Sequence, residues 1–399
     1  MVLYLLNLRK NSAQIELDQF FKHIENRECP LQSVTKSAFF QARTQLSHTA
    51  FIELNQIAVE DFYGQYKNYQ TWNGFRLCAI DGSQIRLPNE ADVVTEFGAL
   101  KGKENQGDCP LALASIYYDV LNHIAIDASL NPTAASERAC AVRHLAHARK
   151  DDLVLYDRGY NAFWLYAYHV THNIAFCMRA KVNRGLLFKH FVDSGKHQAV
   201  ITLEPNKQSI EQCQQRNLPD KPIKLRLIRV DLPGEVEVLI TNLMDETTYE
   251  VEQFKALYHF RWGTEENYKR LKQWVEIENF SGKSALSVKQ DFHSKIFTAN
   301  LTALMALAAQ KRVHTNTKNC RNHYKINFAQ ALSKMKHTVV SLIPHCAKGA
   351  SELIQEIINY IALTIEPVRK GEVTSVNLPN RIDVILFATS GLYKQCVEA

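Results

Sequence analysis

Between residues 75 and 180 the sequence alternates between segments typical of β-strands and segments typical of helices. Three strand-like segments come first, at 75–88, 111–120 and 123–130, and turn residues separate them. An Ala-rich helical stretch then leads to the nearly continuous apolar run 152–157, which is typical of a strand buried on both faces. A helix and another buried strand follow. This order predicts an α/β fold in which helices flank a mixed sheet.

Changes in hydrophobic periodicity divide the chain into five predicted parts. These are a helical N-terminal region (1–70), the first part of the α/β core (71–180), a β-rich insertion (181–250), the second part of the core (251–310) and a helical, basic C-terminal region (311–399). The second part of the core begins with one long predicted helix, from about 248 to 274. Residues 37–54 of the first region fit either half of a helical DNA-binding unit or a plain helical packing unit.

The composition excludes several classes of protein. No window approaches 18 uninterrupted apolar residues, so we expect no membrane span. The apolar start soon reaches Arg9 and Lys10 without a cleavage site, which predicts a helix and not a signal peptide. The nine cysteines are scattered without a C-x-x-C pair, as expected of reduced thiols in a cytoplasmic protein. No phosphate-binding or dinucleotide-binding glycine motif occurs, so no nucleotide cofactor is expected.

The positive charge of the chain is concentrated in one segment. The whole sequence carries a formal net charge of +6, which by itself says little about a nucleic-acid partner. Residues 281–350, however, contain eleven Lys or Arg residues against a single acid, Asp291, an excess of +10. This concentration predicts that the segment binds DNA phosphates.

Three carboxylates occur where the predicted sheet could bring them together. Asp81 lies in the first strand, and Asp157 ends the buried strand at 152–157. In open α/β sheets such strand ends border the ligand crevice. Glu265 lies on the long predicted helix, so only a fold that carries this helix back across the sheet would place it nearby. Each acid alone is a weak signal, because an Asp at a strand end is commonly a turn or capping residue.

The long predicted helix carries a more specific pattern. Four of its residues fall within about 60° of one another around an α-helix and so form one stripe: Tyr258, Arg261, Glu265 and Lys272. A carboxylate flanked by a phenol, a guanidinium and an ammonium suits a metal ligand placed beside DNA phosphates. The alternative is a solvated helix face with i,i+4 ion pairs, such as Glu265 with Lys269.

The spacing Y-x-x-R-x-x-x-E-x-x-x-x-x-x-K in this stripe resembles the signature of the IS-4 family of insertion-sequence transposases. The family's Arg-Trp and Glu-Glu pairs are present at 261–262 and 265–266, and its contexts for the two aspartates are present at 81–83 (DGS) and 157–160 (DRGY). The resemblance covers about residues 35 to 300, including the insertion. Gly263 departs from it, because a glycine inside a helix costs about 1 kcal/mol relative to alanine. The N-terminal region is also short.

The resemblance implies a ribonuclease H-like sheet and a DDE site in which Asp81, Asp157 and Glu265 hold two Mg²⁺ or Mn²⁺ ions. It also implies double-stranded DNA partners, namely the element ends and a target, and a homodimer when the protein is bound to DNA. The expected location is the bacterial cytoplasm, in association with the nucleoid. The residues expected to position DNA phosphates are Tyr258, Arg261, Lys272 and Arg158. Trp262 is expected either to contact a flipped base or to pack in the core.

The same residues leave two alternative functions open and disfavour two other kinds of site. A ribonuclease H-like nuclease or resolvase that cuts without joining would share the metal site, and a DNA-binding relative that has lost catalysis would rely on the basic segment. Two histidine pairs could ligate a metal, but no further ligand cluster accompanies them, which disfavours zinc; they are His144 with His147 and His169 with His172. Ser83 and Cys177 lack a recognisable base partner.

Overall fold

A computed structural model describes residues 1–7, 11–25, 27–66, 69–102, 107–181, 186–342 and 350–368. The helices are α1 (Val2–Leu6), α2 (Ala13–Ile24), α3 (Lys36–Arg43), α4 (Thr49–Gln65), α5 (Ala91–Phe97), α6 (Glu137–His144), α7 (Phe163–His172), α8 (Leu186–Asp193), α9 (Lys207–Gln214), α10 (Val251–His259), α11 (Trp262–Gln273), α12 (Ala285–Asn316), α13 (Phe328–Leu342) and α14 (Ala350–Ala362). The strands are β1 (Arg76–Arg86), β2 (Ala99–Leu100), β3 (Cys109–Asp119), β4 (Ile124–Pro132), β5 (Asp152–Tyr156), β6 (Ala175–Arg179), β7 (Gln198–Leu203), β8 (Ile223–Leu232), β9 (Glu235–Thr241), β10 (Tyr324–Ile326) and β11 (Ile365–Pro367). Short 3₁₀ turns occupy Leu145–His147 and Arg158–Tyr160.

Nine of the described strands form one mixed sheet. Its path is β2-β3-β1-β5-β6-β9-β8-β7, with β4 also paired to β3. Strands β1, β3 and β4 pair antiparallel, whereas β5 and β6 run parallel to β1. Three antiparallel strands followed by two parallel ones form a ribonuclease H-like sheet, and helices cover both of its faces. The predicted fold class is therefore confirmed.

Alternating burial along β5 explains why the sheet has two cores. Leu153 and Leu155 belong to the core on one face, with Phe254 of α10 and Leu271 of α11. The intervening side chains of β5 belong to the core on the opposite face, which α4, α6 and α7 cover. Because all five residues of β5 are buried, the strand needs apolar side chains on both faces. The prediction of a doubly buried strand at this place is confirmed.

The segment 181–250 extends the main sheet. Its strand β9 pairs antiparallel with β6, and β8 and β7 continue the sheet beyond β9. The segment also contains the two short helices α8 and α9. The predicted insertion thus shares a continuous hydrogen-bonded ladder with the α/β core.

The long helix expected from about 248 to 274 is instead two helices, α10 and α11, separated at Phe260 and Arg261. Here the backbone N–H of Gly263 bonds the carbonyl of Phe260, and the N–H of Thr264 bonds that of Arg261, so the chain tightens to an i,i+3 pattern. The Thr264 hydroxyl also donates to the Arg261 carbonyl (2.7 Å). A Cβ atom at Gly263 would lie 3.2 Å from Cβ of Val120. Glycine therefore permits close packing, which offsets its poor helix propensity.

The N-terminal helices pack with the C-terminal ones around α12. A third core contains apolar residues of α1, α2, α4, α12, α13 and α14. At its edge Arg43 of α3 is buried and forms an ion pair with Asp291 of α12 (2.8 Å). Arg43 also donates to Ser281 Oγ (2.6 Å). Packing, and not DNA reading, thus accounts for Arg43.

None of the helices in the described ranges is long and apolar enough to span a bilayer.

Candidate active site

Two of the predicted acids flank the point where β1 and β5 part. The parallel pairing of these strands ends at Ala79 opposite Leu155, and Asp81 and Asp157 each follow two residues later. Strand β1 continues beside β3, while β5 ends at Tyr156. A crevice therefore opens between the strands, with both aspartates at the same level. Asp157 is held by the backbone N–H of Gly159, which donates to its Oδ1 (2.6 Å).

Helix α11 brings the third acid to this crevice. Arg261, at the start of the helix, donates from Nη2 to Oε1 of Glu265 (2.8 Å), and its Nη1 lies 4.0 Å from Oδ2 of Asp81. The Tyr268 hydroxyl lies within hydrogen-bonding distance of the carbonyl oxygens of Asp81 (3.0 Å) and Ala114 (2.9 Å) and shares its one hydrogen between them, which ties α11 to β1 and β3. One guanidinium thus lies between two of the acids predicted from the sequence.

The Asp81 carboxyl group is buried and lies near two further acids. Burial raises the pKa of the Asp81 carboxyl to about 7, and Asp157 and Glu137 add to the rise. The backbone N–H of Gly82 and the Arg261 guanidinium oppose it. Among the described side chains, Nε of Arg261 is one of the few buried polar atoms without a hydrogen-bond partner. A cation beside Asp81 would stabilise its ionised form, and the free N–H of Arg261 can donate to an acceptor oxygen such as that of a phosphate.

The other two members of the predicted stripe also face the strand ends, although the helix is broken between them. The Tyr258 hydroxyl of α10 donates to the carbonyl of Tyr156, directly before Asp157 (3.3 Å). Lys272 of α11 donates to the carbonyl of Gln84 in β1 (2.8 Å) and lies 3.9 Å from Glu278. In this structure the Tyr258 hydroxyl and the Lys272 ammonium are therefore both hydrogen-bonded to backbone carbonyls.

The remaining candidates, Arg158 and Trp262, lie at the surface. Arg158 follows Asp157 and is exposed, and no carboxylate in the described part of the chain pairs with it. The Trp262 side chain is half exposed, with the Arg261 guanidinium 5.3 Å from its ring. It lines a cavity of about 340 Å³ together with Glu266 and Arg270, on the next face of α11. Its contact with a base stays a prediction.

Sequence reasoning missed two residues at the crevice, Glu137 and Tyr160. Glu137 begins α6 and lies against Gly82, and its charge contributes to the raised pKa of Asp81. Tyr160 ends the turn after Asp157, and its hydroxyl is buried. A glycine inside a strand often marks a close approach, so Gly82 was the available signal for Glu137. Tyr160 stood in the Asp-Arg-Gly-Tyr motif without an assigned role.

One histidine of each predicted pair has a structural role. His144 bonds Asp127 through Nδ1 (2.7 Å) and Ser115 through Nε2 (3.0 Å). His169 bonds the hydroxyl of Tyr156 (2.9 Å), and burial lowers its pKa to about 3. Both rings are therefore held by other protein groups inside the core.

The donor set at the crevice fits Mg²⁺ or Mn²⁺, because both ions prefer carboxylate oxygens. Within the described ranges, no three acidic, histidine or cysteine side chains lie close enough together to hold one ion as they stand. Arg261 separates Asp81 from Glu265, so its side chain must move before both acids can share an ion.

Residues 72–301 match the family model described as "Transposase DDE domain". The chain belongs to this family. The matched residues make it a nucleic-acid-processing enzyme of the DDE transposase class, and they include Asp81, Asp157 and Glu265.

Individual relatives of this DDE transposase are distant. The chain is similar to "Transposase InsG for insertion sequence element IS4" of Escherichia coli (strain K12), with 20% identity over 347 residues, which are 84% of this chain and 75% of the relative. It is 24% identical over 132 residues to "Putative transposase InsZ" of the same strain, covering 33% of this chain and 44% of that protein. A solved piggyBac transposase synaptic complex with hairpin DNA aligns with a TM-score of 0.38 and 6% identity, over 75% of this chain and 59% of that one.

Proposed function

We propose that this DDE transposase cuts the ends of an insertion sequence and joins them to target DNA by two-metal phosphodiester chemistry. One observation carries the proposal: Asp81 and Asp157 flank the parting of two parallel strands, and Arg261 links Asp81 to Glu265 across the same crevice. These contacts support a site formed by acids from three distant parts of the chain, around the crevice at the ends of two central strands. A structural helix face would not require this convergence.

Asp81, Asp157 and Glu265 would hold the metal ions. When bound, a pair of Mg²⁺ or Mn²⁺ ions activates a water or 3′-hydroxyl and stabilises the leaving oxygen. Arg261 can exchange the Glu265 carboxylate for a phosphate, because a planar guanidinium binds both in the same forked geometry. The ion pair between Arg261 and Glu265 thus keeps the acid neutralised until DNA and metal arrive.

The remaining candidate residues would contact DNA. Lys272 would exchange the Gln84 carbonyl for a DNA phosphate, since an ammonium binds either as a point charge. The Tyr258 hydroxyl lies beside the Tyr156 carbonyl, next to Asp157, and would donate to a phosphate near the cut. Arg158, being exposed at the crevice, would contact a phosphate further along the strand. Trp262 offers an exposed ring for base stacking.

A joining assay tests this function against a nuclease that only cuts. Purified full-length protein is mixed with a pre-cut element end, a plasmid and Mg²⁺, and the products are separated by size. The transposase is expected to attach the labelled end to the plasmid. Cut DNA without any joined product would support the nuclease or resolvase alternative.

Most cations of the basic segment 281–350 are engaged with other parts of the protein. Six of them contact acids or backbone carbonyls. These are Lys283 with Glu90, Lys289 with Glu96, Lys295 with the Glu276 and Asn279 carbonyls, Lys325 with Glu366, Lys334 with the Tyr360 carbonyl, and Lys336 with Glu16. No described carboxylate pairs with Lys311, Arg312, Lys318 or Arg321, and Lys348 lies outside the described residues. We therefore assign DNA phosphate contacts to the cluster at 311–321.

Replacing Lys311, Arg312 and Lys318 with Gln should reduce the dependence of DNA affinity on salt. Each lost phosphate contact removes about 0.9 from the slope of log K against log salt, so three contacts remove about 2.7. Fluorescence anisotropy across a salt series measures the slope. The matched control replaces Lys283, Lys289 and Lys325 with Gln, which removes the same charge from ion-paired positions and should change the slope much less. Equal effects of the two triple variants would contradict the assignment.

A further inference from the structure

The carboxyl group of Glu137 lies over Gly82, the residue that follows Asp81 in β1. A Cβ atom added at Gly82 would lie 3.1 Å from Cγ of Glu137 and 3.2 Å from its carboxyl carbon. Ile80 and Gly82 point to the same face of the sheet, because side chains alternate along a strand. Helix α6 packs on that face. Any larger residue at position 82 would therefore push Glu137 away from the crevice.

The framework around α6 fixes Glu137 relative to the turn after Asp157. Arg138 donates from Nε (2.9 Å) and Nη2 (2.7 Å) to the carbonyl of Gly159. The other end of α6 is anchored through His144, which bonds side chains on β3 and β4. Glu137 is thus positioned by the sheet and by the same turn that carries Asp157.

The Glu137 carboxylate is close to other acids and lacks a partner of its own. Among the described residues, none donates a hydrogen bond to it or forms an ion pair with it. Glu137 is exposed at the rim of the crevice and packs against Gly82, the residue next to Asp81. Its carboxylate also lies within electrostatic range of Asp81 and Asp157.

The Tyr160 hydroxyl independently indicates a ligand at this place. The side chain is 0% exposed, and its hydroxyl has no hydrogen-bond partner among the described residues. Its ionisable neighbours are Asp81, Glu137, Tyr268 and Asp157, so it lies among the crevice acids. Because a buried hydroxyl without a partner costs free energy, its position indicates that a ligand oxygen accepts from it in the working complex.

We propose that Glu137 is a fourth carboxylate ligand of the divalent metal centre and that the Tyr160 hydroxyl donates to an oxygen ligand of the same ion. This inference rests on the proposed two-metal function. Two divalent ions carry four positive charges, whereas the three acids found from the sequence supply three negative ones. Glu137 supplies the fourth. It approaches from the α6 face of the sheet, and Glu265 approaches from the α11 face.

Counting Mn²⁺ ions by electron paramagnetic resonance on the full chain with a pre-cut element end bound, so that a DNA phosphate can take the place of Glu265 on Arg261, tests the inference. The unsubstituted protein is expected to bind two ions, and Glu137→Gln should raise the Kd of one of them about tenfold or more. Its metal-free melting temperature should stay the same or rise, because one of several repelling charges is removed. The control Glu53→Gln removes an exposed acid from α4 and should change neither quantity.

A second variant, Tyr160→Phe, removes only the buried hydroxyl. If the hydroxyl had no ligand, its loss would leave Mn²⁺ affinity unchanged, whereas we expect the affinity to fall several-fold. Asp157→Asn distinguishes this inference from the proposed function. Weak Mn²⁺ binding by Asp157→Asn with normal binding by Glu137→Gln and Tyr160→Phe would overturn the inference alone. Normal binding by all three variants would overturn the metal-dependent function as well.

Discussion

Replacing Glu265 with Gln is expected to abolish both cutting and joining of DNA while leaving the binding of element ends nearly normal. The amide keeps the size of the side chain and can still contact Arg261, but it is a much poorer ligand for Mg²⁺. A loss of about a thousandfold or more corresponds to about 4 kcal/mol of transition-state stabilisation. Gel assays of cleavage and joining measure the rates, and anisotropy measures the binding of DNA ends.

The matched control for this variant is Glu266→Gln. Glu266 is the next residue of α11, is exposed and lines the cavity beside Trp262. Because it lies about 100° further around the helix, its loss should leave cutting and joining within a few-fold of normal. If both variants lost cutting and joining to a similar extent, activity would depend on the negative charge of α11 and not on a metal ligand at Glu265.

Replacing Lys272 with Ala should separate metal binding from DNA positioning. We expect Mn²⁺ to raise the melting temperature by binding the crevice acids. Lys272 contacts the Gln84 carbonyl and is not one of these acids, so the variant should keep this rise. Joining of a pre-cut end should fall about a hundredfold, since a misplacement of about 1 Å can cost that much in rate.

Joining by Arg261→Lys should also be impaired, because an ammonium cannot reproduce the bidentate fork of the guanidinium.

Lys269→Ala is the control for Lys272→Ala, because Lys269 is an exposed cation on the same helix. It should join DNA ends at nearly the normal rate. A normal joining rate for Lys272→Ala, with an unchanged melting temperature, would show that the Y-R-E-K spacing is only a structural helix face here. The nuclease alternative would then gain support.

Local patterns were enough to predict the sheet and to find the acids that lie on it. The run at 152–157 is apolar at consecutive positions because β5 is buried on both faces, and Asp157 stands out as the residue that ends it. Asp81 stands out in the same way within an apolar strand. Glu265 was found only through its spacing from Arg261 and Lys272 and the family that this spacing resembles.

Contacts between distant parts of the chain could not be predicted from such patterns. Glu137 reaches the crevice because Gly82, far away in the sequence, leaves space for it. The break between α10 and α11 accompanies a close contact of Gly263 with Val120, which no periodicity reveals.

Counting charges along the sequence overestimated the positive charge available to DNA, because contacts between distant residues are not visible in such a count. The segment 281–350 is strongly basic by itself, but several of its lysines pair with acids from other elements, such as Glu90 and Glu96. Its single acid, Asp291, is paired with the buried Arg43. The local excess of +10 therefore overstates the charge available to DNA.

The most direct test of a metal-dependent DDE site is the metal preference of Asp157→Cys. A thiolate is a poor ligand for Mg²⁺, whereas the softer Mn²⁺ tolerates sulfur better. We expect this variant to be inactive with Mg²⁺ and to recover joining with Mn²⁺, while Asp157→Ala stays inactive with both ions. Equal joining by Asp157→Cys in the two metals, or activity in Asp157→Ala, would contradict the role of Asp157 as a metal ligand and with it the two-metal site.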